Sequence, residues 1–275
     1  MNWRKVLEII IISICLIFLS FMTYLSFTLD TAVAKVNTAI TEVGNEYYQK
    51  KDKIKNVIPI LVYHHIQNEN YFDKFDTRSY SVSKEVFEQQ IKYILDMGYT
   101  PLTVHDLIIK QNSNTLPKKP IAITFDDGWQ GQYTDALPIL LKYKVTATFY
   151  VYNFVLDKTG FMTLKNIQEL NSDGMEIAGH TVHHPHLTQL ASSTALSEIV
   201  DNKLFLEENL HTTLHDFAYP YGNFNLEIER EVKTAGYESA RTSTKTIYND
   251  FSNLYELKSI YASPNLEGLK TILIN

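Results

Sequence analysis

Two carboxylates stand side by side in Asp126-Asp127-Gly128, and four histidines crowd into Gly179-His180-Thr181-Val182-His183-His184-Pro185-His186. Adjacent carboxylates at a strand end can divide labour, one holding a cation and the other accepting a proton. Asp-Asp-Gly is also a turn signal, and a strand that simply stops there is the plainer reading. The histidines decide between the two. Four of the nine histidines in the chain fall between positions 180 and 186, a density that packing does not explain. Clustered imidazoles near a carboxylate are ligands for a divalent ion of the zinc class. His180 and His184 stand four apart, which on a helical turn puts both rings on one side. With one carboxylate, Asp126 or Asp127, they make three protein ligands and leave positions open. Such a centre keeps positions open for water, with the second carboxylate free to serve as a base.

These residues need a scaffold. Positions 121–125 are apolar and β-branched, a short buried strand that delivers the two carboxylates at its end. Active-site residues gather at such strand ends in α/β folds. A second buried-strand pattern over 57–63 runs straight into His64-His65. Strand patterns recur at 145–151, 175–178, 217–219, 237–241 and 257–261. Between them the helical spacing predicts helices at 84–97, 104–110, 133–144, 164–171, 193–210, 226–235 and 266–274. Ser83 is the expected cap of the first and Gly98 its stop. This alternation over 57–275 predicts parallel βαβ units closed into a (β/α) barrel of eight units or fewer. No internal repeat of about 20–50 residues interrupts it.

With 275 residues, 45% of them apolar, the chain can bury one large core and carry an appendage. Its net charge of −6, with no basic stripe, argues against nucleic acid as a partner. The single cysteine, Cys15, excludes an intramolecular disulfide. Cys15 lies in an apolar run over 9–29 that Arg4 and Lys5 precede. At about 1.5 Å per residue this run matches a hydrocarbon thickness of about 30 Å. It predicts a single-pass anchor within 1–30, N-terminus cytoplasmic and the remainder outside the cell membrane. Ala32-Val33-Ala34 offers the alternative, cleavage near Ala34 and secretion. A polar, lysine-rich stalk over 31–56 and a folded domain over 57–275 complete the expected organisation.

At this point the motifs resemble a known family. Thr124-Phe125-Asp126-Asp127-Gly128 and His180-Thr181-Val182-His183-His184 look like the first two motifs of the polysaccharide deacetylases (the NodB-homology family, carbohydrate esterase family 4). Phe217-Ala218-Tyr219-Pro220-Tyr221-Gly222 resembles the third, and the likeness covers 57–275. The resemblance implies a distorted (β/α) barrel that removes N- or O-acetyl groups from polysaccharides. It makes Asp126 the general base, and Asp127, His180 and His184 the ligands of a divalent metal ion, with Zn²⁺ expected. It assigns the oxyanion-facing backbone N–H to Tyr221.

Three departures stand out. Ala218 occupies the place where the third motif often carries arginine, the fourth motif is not recognisable over 236–242, and no histidine follows His215. Together with Leu61-Val62-Tyr63-His64-His65-Ile66, the third motif resembles the biofilm poly-β-1,6-N-acetylglucosamine deacetylases. The substrate so implied is an extracellular N-acetylglucosamine polymer, poly-β-1,6-N-acetylglucosamine first. Peptidoglycan or an O-acetylated glycan is the alternative, and membrane-bound polysaccharide synthesis machinery is the implied partner. A non-catalytic glycan-binding relative would have no use for a base beside a metal, which argues against that class.

The leaving amine still needs a proton, and the usual C-terminal histidine is missing. In a closed barrel the first and last strands are neighbours, so a histidine at the end of the first strand can serve the same place. His64 is the candidate, and alternation turns His65 away. Trp129, Tyr219 and Tyr221 are candidates for stacking on sugar rings, with core packing the equal alternative for each.

Overall fold

Seven parallel strands close on themselves. In chain order they are β1 (Ile60–Tyr63), β5 (Pro120–Asp126), β6 (Thr148–Val151), β7 (Glu176–Gly179), β8 (Asp216–Ala218), β9 (Ser239–Ser243) and β10 (Leu257–Tyr261). Each of β5 to β10 pairs with the next. Strand β1 then closes the ring, with Leu61 opposite Ile260 of β10 on one side and Ile123 of β5 on the other. The first and last strands are thus neighbours. Three further strands lie outside the ring: β2 (His65–Ile66) pairs with β3 (Ser81–Val82), and β4 (Thr100–Leu102) extends the start of β5. The sequence pattern had no room for these short pieces.

This computed structural model describes residues 58–67, 80–244, 246–249 and 251–274, with Thr28, Thr31, Val33, Lys35 and Val36 of a helical segment upstream. The expected anchor over 9–29 lies, Thr28 apart, outside the described residues, and so does the stalk beyond Val36. Among the described residues no helix is long and apolar enough to cross a membrane. Residues Asn56–Asn275 form one compact unit.

The helices that follow the strands are α1 (Lys84–Asp96), α2 (Val104–Asn112), α3 (Leu137–Tyr143), α4 (Leu164–Ser172), α5 (Ser192–Leu210), α6 (Leu226–Thr234) and α7 (Leu266–Ile274). Side-chain oxygens start several of them. Ser83 accepts from Val86 N at 3.2 Å, Thr103 from Asp106 N at 3.1 Å and Asn225 from Ile228 N at 2.9 Å. Each satisfies one of the N–H groups that a helix start leaves open. Gly98, at φ 77°, stops α1 in the left-handed region where glycine has no steric cost. One departure from a regular helix matters for function. Where the spacing predicts one helix over 133–144, Gln132–Ala136 is wound as a π-helix before α3 begins. Gly131 lies so close to β2 that an added Cβ would sit 1.8 Å from the Ile66 carbonyl oxygen. The wider turn re-aims Gln132 inward.

Alternation along the strands puts two different interiors on the two faces of the barrel wall. Ile121, Ile123 and Phe125 of β5 join the main core between barrel and helices, where Phe125 stacks on Phe149 with centroids 4.6 Å apart. The other face carries Ala122, Thr124 and Asp126, and the corresponding positions of neighbouring strands include Thr148, Tyr150, Asp216, Ser239, Arg241 and Ser259, all buried. The barrel lumen is therefore largely polar, and most of the hydrophobic stabilisation comes from outside it.

At the N-terminal end of the lumen two acids meet. Glu176 Oε2 accepts from Thr148 Oγ1 at 2.6 Å and from His105 N at 3.3 Å, and Ser239 donates to Asp216. The remaining oxygens, Glu176 Oε1 and Asp216 Oδ2, find no donor among the described residues. Burial, reinforced by the Asp216 carboxyl, pushes Glu176 well above the usual carboxylate range. A folded-state pKa above the unfolded value means that the folded chain binds this proton more tightly. The contribution is complete below the unfolded pKa, about 4.5, and is lost as pH rises through the folded value. Each tenfold tighter hold on the proton is worth about 1.4 kcal/mol. Glu176→Gln keeps the acceptor for Thr148 and removes the proton, so urea midpoints measured from about pH 5 to about 8 should fall less steeply than in the parent chain. An unchanged slope would place the proton elsewhere.

Candidate active site

The C-terminal ends of the strands gather the residues that the motifs single out, the face on which (β/α) barrels build their sites. Strand β5 ends at Asp126, and Asp127 follows with φ 76°. Aspartate tolerates this left-handed backbone better than most residues, and here the turn rotates the second carboxylate away from the first. Trp129 Nε1 donates to Asp127 Oδ2 at 3.2 Å and fixes the group. Asp127 Oδ1 faces the other way, 3.5 Å from His180 Nε2 and 3.6 Å from His184 Nε2. Ligand atoms around a tetrahedral zinc, with bonds of about 2.0–2.1 Å, stand about 3.3 Å apart.

The donor set fits such an ion in its chemistry as well. His180 Nδ1 lies 2.7 Å from the Ala218 carbonyl, which can only accept, so Nδ1 carries the proton and Nε2 offers its lone pair to the site. Burial, with His180 beside it, lowers His184 to about 4, which leaves a neutral ring at neutral pH. Burial alone would raise Asp127, but the imidazoles of His180, His64 and His184 around it outweigh burial and hold the carboxyl below the usual range. Among the described residues its Oδ1 is buried without a hydrogen-bond partner. The structure brings together all three residues that the resemblance implies as ligands.

The route differs from the expected one. The helical turn predicted from the His180/His184 spacing is not formed; the segment is a loop with left-handed Thr181 (φ 70°) and His184 (φ 59°). Its conformation is imposed from a distance. Glu198 of α5 accepts from the backbone N–H of Val182 at 3.1 Å and of His183 at 2.9 Å, and Thr181 Oγ1 accepts from His184 N at 2.9 Å. These bonds replace the helical ladder, so both rings reach Asp127 without a helix. Asn202 of α5 holds the first ligand from behind, its Oδ1 accepting from His180 N at 3.0 Å.

Asp126 sits beside this centre with a partner that sequence reasoning missed. Arg241 of β9 donates to Asp126 Oδ1 through Nη2 and to Ser259 Oγ through Nη1, the latter at 3.2 Å. Its guanidinium lies 4.5 Å from the ring centroid of Tyr150. Burial works against the Arg241 charge, but Asp126 and Tyr150 outweigh it and raise the group further. In the barrel register Arg241 lies directly opposite Ala218. The arginine that is absent from position 218 is thus replaced from the neighbouring strand. The available signal was a charged side chain inside the strand pattern Ser239-Ala240-Arg241-Thr242-Ser243, which a buried parallel strand tolerates only with a partner. Gln132 is a second missed residue: its amide donates to the carbonyls of His64 at 2.8 Å and Asp126 at 2.5 Å, joining the ends of β1 and β5.

His64 Nε2 faces the site at 3.9 Å from both Asp126 Oδ2 and Asp127 Oδ2. Tyr80 and Tyr261 flank its ring, with centroids 5.5 and 5.4 Å away. His65 turns instead to Trp129, with centroids 4.1 Å apart, and burial lowers it to about 4, so it has no proton to give near neutrality. Tyr221, left-handed at φ 59°, is half exposed and stacks on His186 at 3.8 Å, next to His184. Tyr219 is not at the mouth at all. It is buried, stacked on Phe224 at 4.7 Å with its hydroxyl bonded to the Tyr255 carbonyl, and it serves the core. Trp129 is half-buried, with Phe161 stacked on it at 4.1 Å. Of the three aromatic candidates, Tyr221 alone keeps a largely free face.

The geometry separates neighbouring histidines by role. His184 should be required for metal binding, whereas His183, paired with Glu198 on the surface, should not. Dialysis against buffered Zn²⁺ should show at least about a tenfold loss of affinity in the mouth site for His184→Ala and little change for His183→Ala. The reverse order would break the ligand assignment.

Comparison with known proteins agrees with the barrel and its motifs. The polysaccharide deacetylase family profile matches residues 113–240. The structure of the Streptococcus pyogenes deacetylase PplD in complex with acetate is 30% identical and superposes with a TM-score of 0.73, over 78% of this chain and 97% of that one. The poly-β-1,6-N-acetyl-D-glucosamine N-deacetylase of Staphylococcus aureus is 27% identical over 237 residues, 78% of this chain and 82% of its own length. IcaB from Ammonifex degensii, 22% identical with a TM-score of 0.66 over 75% of this chain and 92% of that one, shares the fold. The shared barrel and the extent of the match to PplD lead to one assignment: the chain is a member of the polysaccharide deacetylase family.

Proposed function

We propose that this chain is a metal-dependent N-deacetylase of an extracellular N-acetylglucosamine polymer, with poly-β-1,6-N-acetylglucosamine the favoured substrate. The observation that carries this reading is the pairing of a three-ligand centre, Asp127, His180 and His184, with a second carboxylate locked beside it by Arg241. The likeness to the Staphylococcus aureus enzyme supports the choice of polymer. Peptidoglycan or an O-acetylated glycan keeps the chemistry and changes only the substrate.

The residues divide the reaction between them. A divalent ion, Zn²⁺ by its donor set, supplies Lewis acidity to the acetyl carbonyl when bound. Asp126 accepts the proton of the attacking water, and Arg241 holds that carboxylate in one orientation. The Tyr221 backbone N–H faces the developing oxyanion, a contact of a kind worth about 10²–10³ in rate. His64 returns a proton to the departing amine. Its 3.9 Å distances to both carboxylates are long for hydrogen bonds, as they often are before substrate closes a site. The products are acetate and a free amine on the polymer.

Placement follows from the apolar run over 9–29, which anchors the domain at the cell membrane on its outer side, within reach of membrane-bound polysaccharide synthesis machinery. The full-length chain should then remain with membranes after a salt wash. Recovery from the medium of mature protein beginning at Lys35 would replace the anchor by a cleaved signal segment.

Acetate release from a panel of purified glycans tests the chemistry. Chelation should abolish it and Zn²⁺ restore it, with poly-β-1,6-N-acetylglucosamine the best substrate. His64→Ala should lower kcat by about 10²–10⁴ without loss of bound metal. Unchanged turnover in that variant, or loss in His65→Ala alone, would move the acid elsewhere.

A further inference from the structure

At the end of the barrel opposite the mouth, three side chains from separate parts of the chain converge. His105 stands in the first turn of α2, His215 immediately precedes β8, and Glu238 immediately precedes β9. The two imidazoles stack, with centroids 3.7 Å apart and planes at 14°. Both turn Nδ1 to one carboxylate: His215 Nδ1 lies 3.0 Å from Glu238 Oε1, and His105 Nδ1 lies 3.8 Å from Oε2. One ligating atom from each residue lies within 4.8 Å of the other two.

Protons alone suit this cluster poorly. Two stacked imidazolium ions would repel. His105 Nδ1 is buried and has no hydrogen-bond partner among the described residues, since a separation of 3.8 Å is too long for one. Directly behind it lie more carboxyls. Glu176 accepts from the His105 backbone N–H, and Asp216 follows His215 in the chain. Glu176 Oε1 and Asp216 Oδ2 lack donors among the described residues. Among those residues the ion pairs of Glu238 are with the two histidines. This end of the barrel thus concentrates acceptors around two imidazoles.

We propose that His105, His215 and Glu238 form a second divalent-metal site of the zinc class, separate from the one at the mouth. Two imidazoles and a carboxylate are a zinc-type donor set. The 3.0 and 3.8 Å separations bracket the spacing of about 3.3 Å expected between ligands of a tetrahedral ion. Binding tilts the stacked rings towards each other so that both lone pairs meet one ion, a rotation open to rings that are about a quarter exposed, 24% and 29%. The site joins the start of α2 to the starts of β8 and β9 across the barrel floor. Its role is therefore structural, as befits the face of the barrel remote from catalysis.

Metal counting in the full-length chain tests this without reference to activity. His180→Ala with His184→Ala removes two ligands at the mouth, and after equilibration with buffered Zn²⁺ about one equivalent should remain bound. Adding His105→Ala and His215→Ala should remove it. A chain without the mouth histidines that binds no zinc overturns the proposal, and so does zinc that stays after the floor histidines are gone. A milder variant guards against misfolding of the fourfold one. His215→Ala alone should lower bound zinc from about two equivalents to about one and lower Tm in Zn²⁺ but not in chelator, with acetate release intact. An unchanged stoichiometry there would also refute the second site.

Discussion

An ion pair sealed inside a barrel is an expensive feature to build around. Arg241 and Asp126 are both almost fully buried, and moving either charge out of water costs several kcal/mol before any attraction is counted. The lumen offsets that cost with a second acceptor for the guanidinium on Ser259 and the face of Tyr150. Removing one partner would leave a bare charge, a loss of about 3–5 kcal/mol in comparable cases. The inward positions of neighbouring strands follow from this constraint. Several of them are small or polar where an ordinary barrel would carry branched apolar side chains, while Ile60 and Leu257 keep one end of the lumen apolar. The principal core lies between the wall and the helices.

The same pair explains how two adjacent aspartates can differ. Alternation directs Asp126 into the lumen and onto Arg241, and the left-handed turn at Asp127 directs the next carboxylate to His180 and His184. One group is oriented by a cation that the protein owns, the other meets two imidazoles. Their positions are then held by atoms that touch neither substrate nor metal. Gln132 ties the ends of β1 and β5 together, the Ala218 carbonyl sets the tautomer of His180, and Glu198 fixes the loop between the two histidine ligands. Outer partners of this kind preorganise a site as much as the groups that react.

Much of this was legible in the sequence because it is local. Asp-Asp-Gly after a buried strand and the close-set histidines specify the residue types of the centre, and periodicity specified nearly every helix and barrel strand. What escaped reading depends on neighbours distant in the chain. Arg241 meets Asp126 only because the closed ring places β9 across the lumen from β5, and such closure leaves no mark on spacing. The helical turn expected from His180 to His184 gave way to a loop because Glu198 offers those amides another acceptor. Tyr219 looked like a cleft aromatic in its motif, yet alternation turned its ring to Phe224 and the core. The short strands β2, β3 and β4 carry too few residues for any pattern.

Anomalous diffraction at the zinc absorption edge from crystals of the zinc-loaded chain is the most direct test of the central claim. A peak is expected at the barrel mouth, about 2.0–2.2 Å from Asp127 Oδ1, His180 Nε2 and His184 Nε2, with Asp126 beside it but bound to Arg241. A mouth without a peak, or one whose ion is held by Asp126, His183 or His186 in place of these ligands, would contradict it.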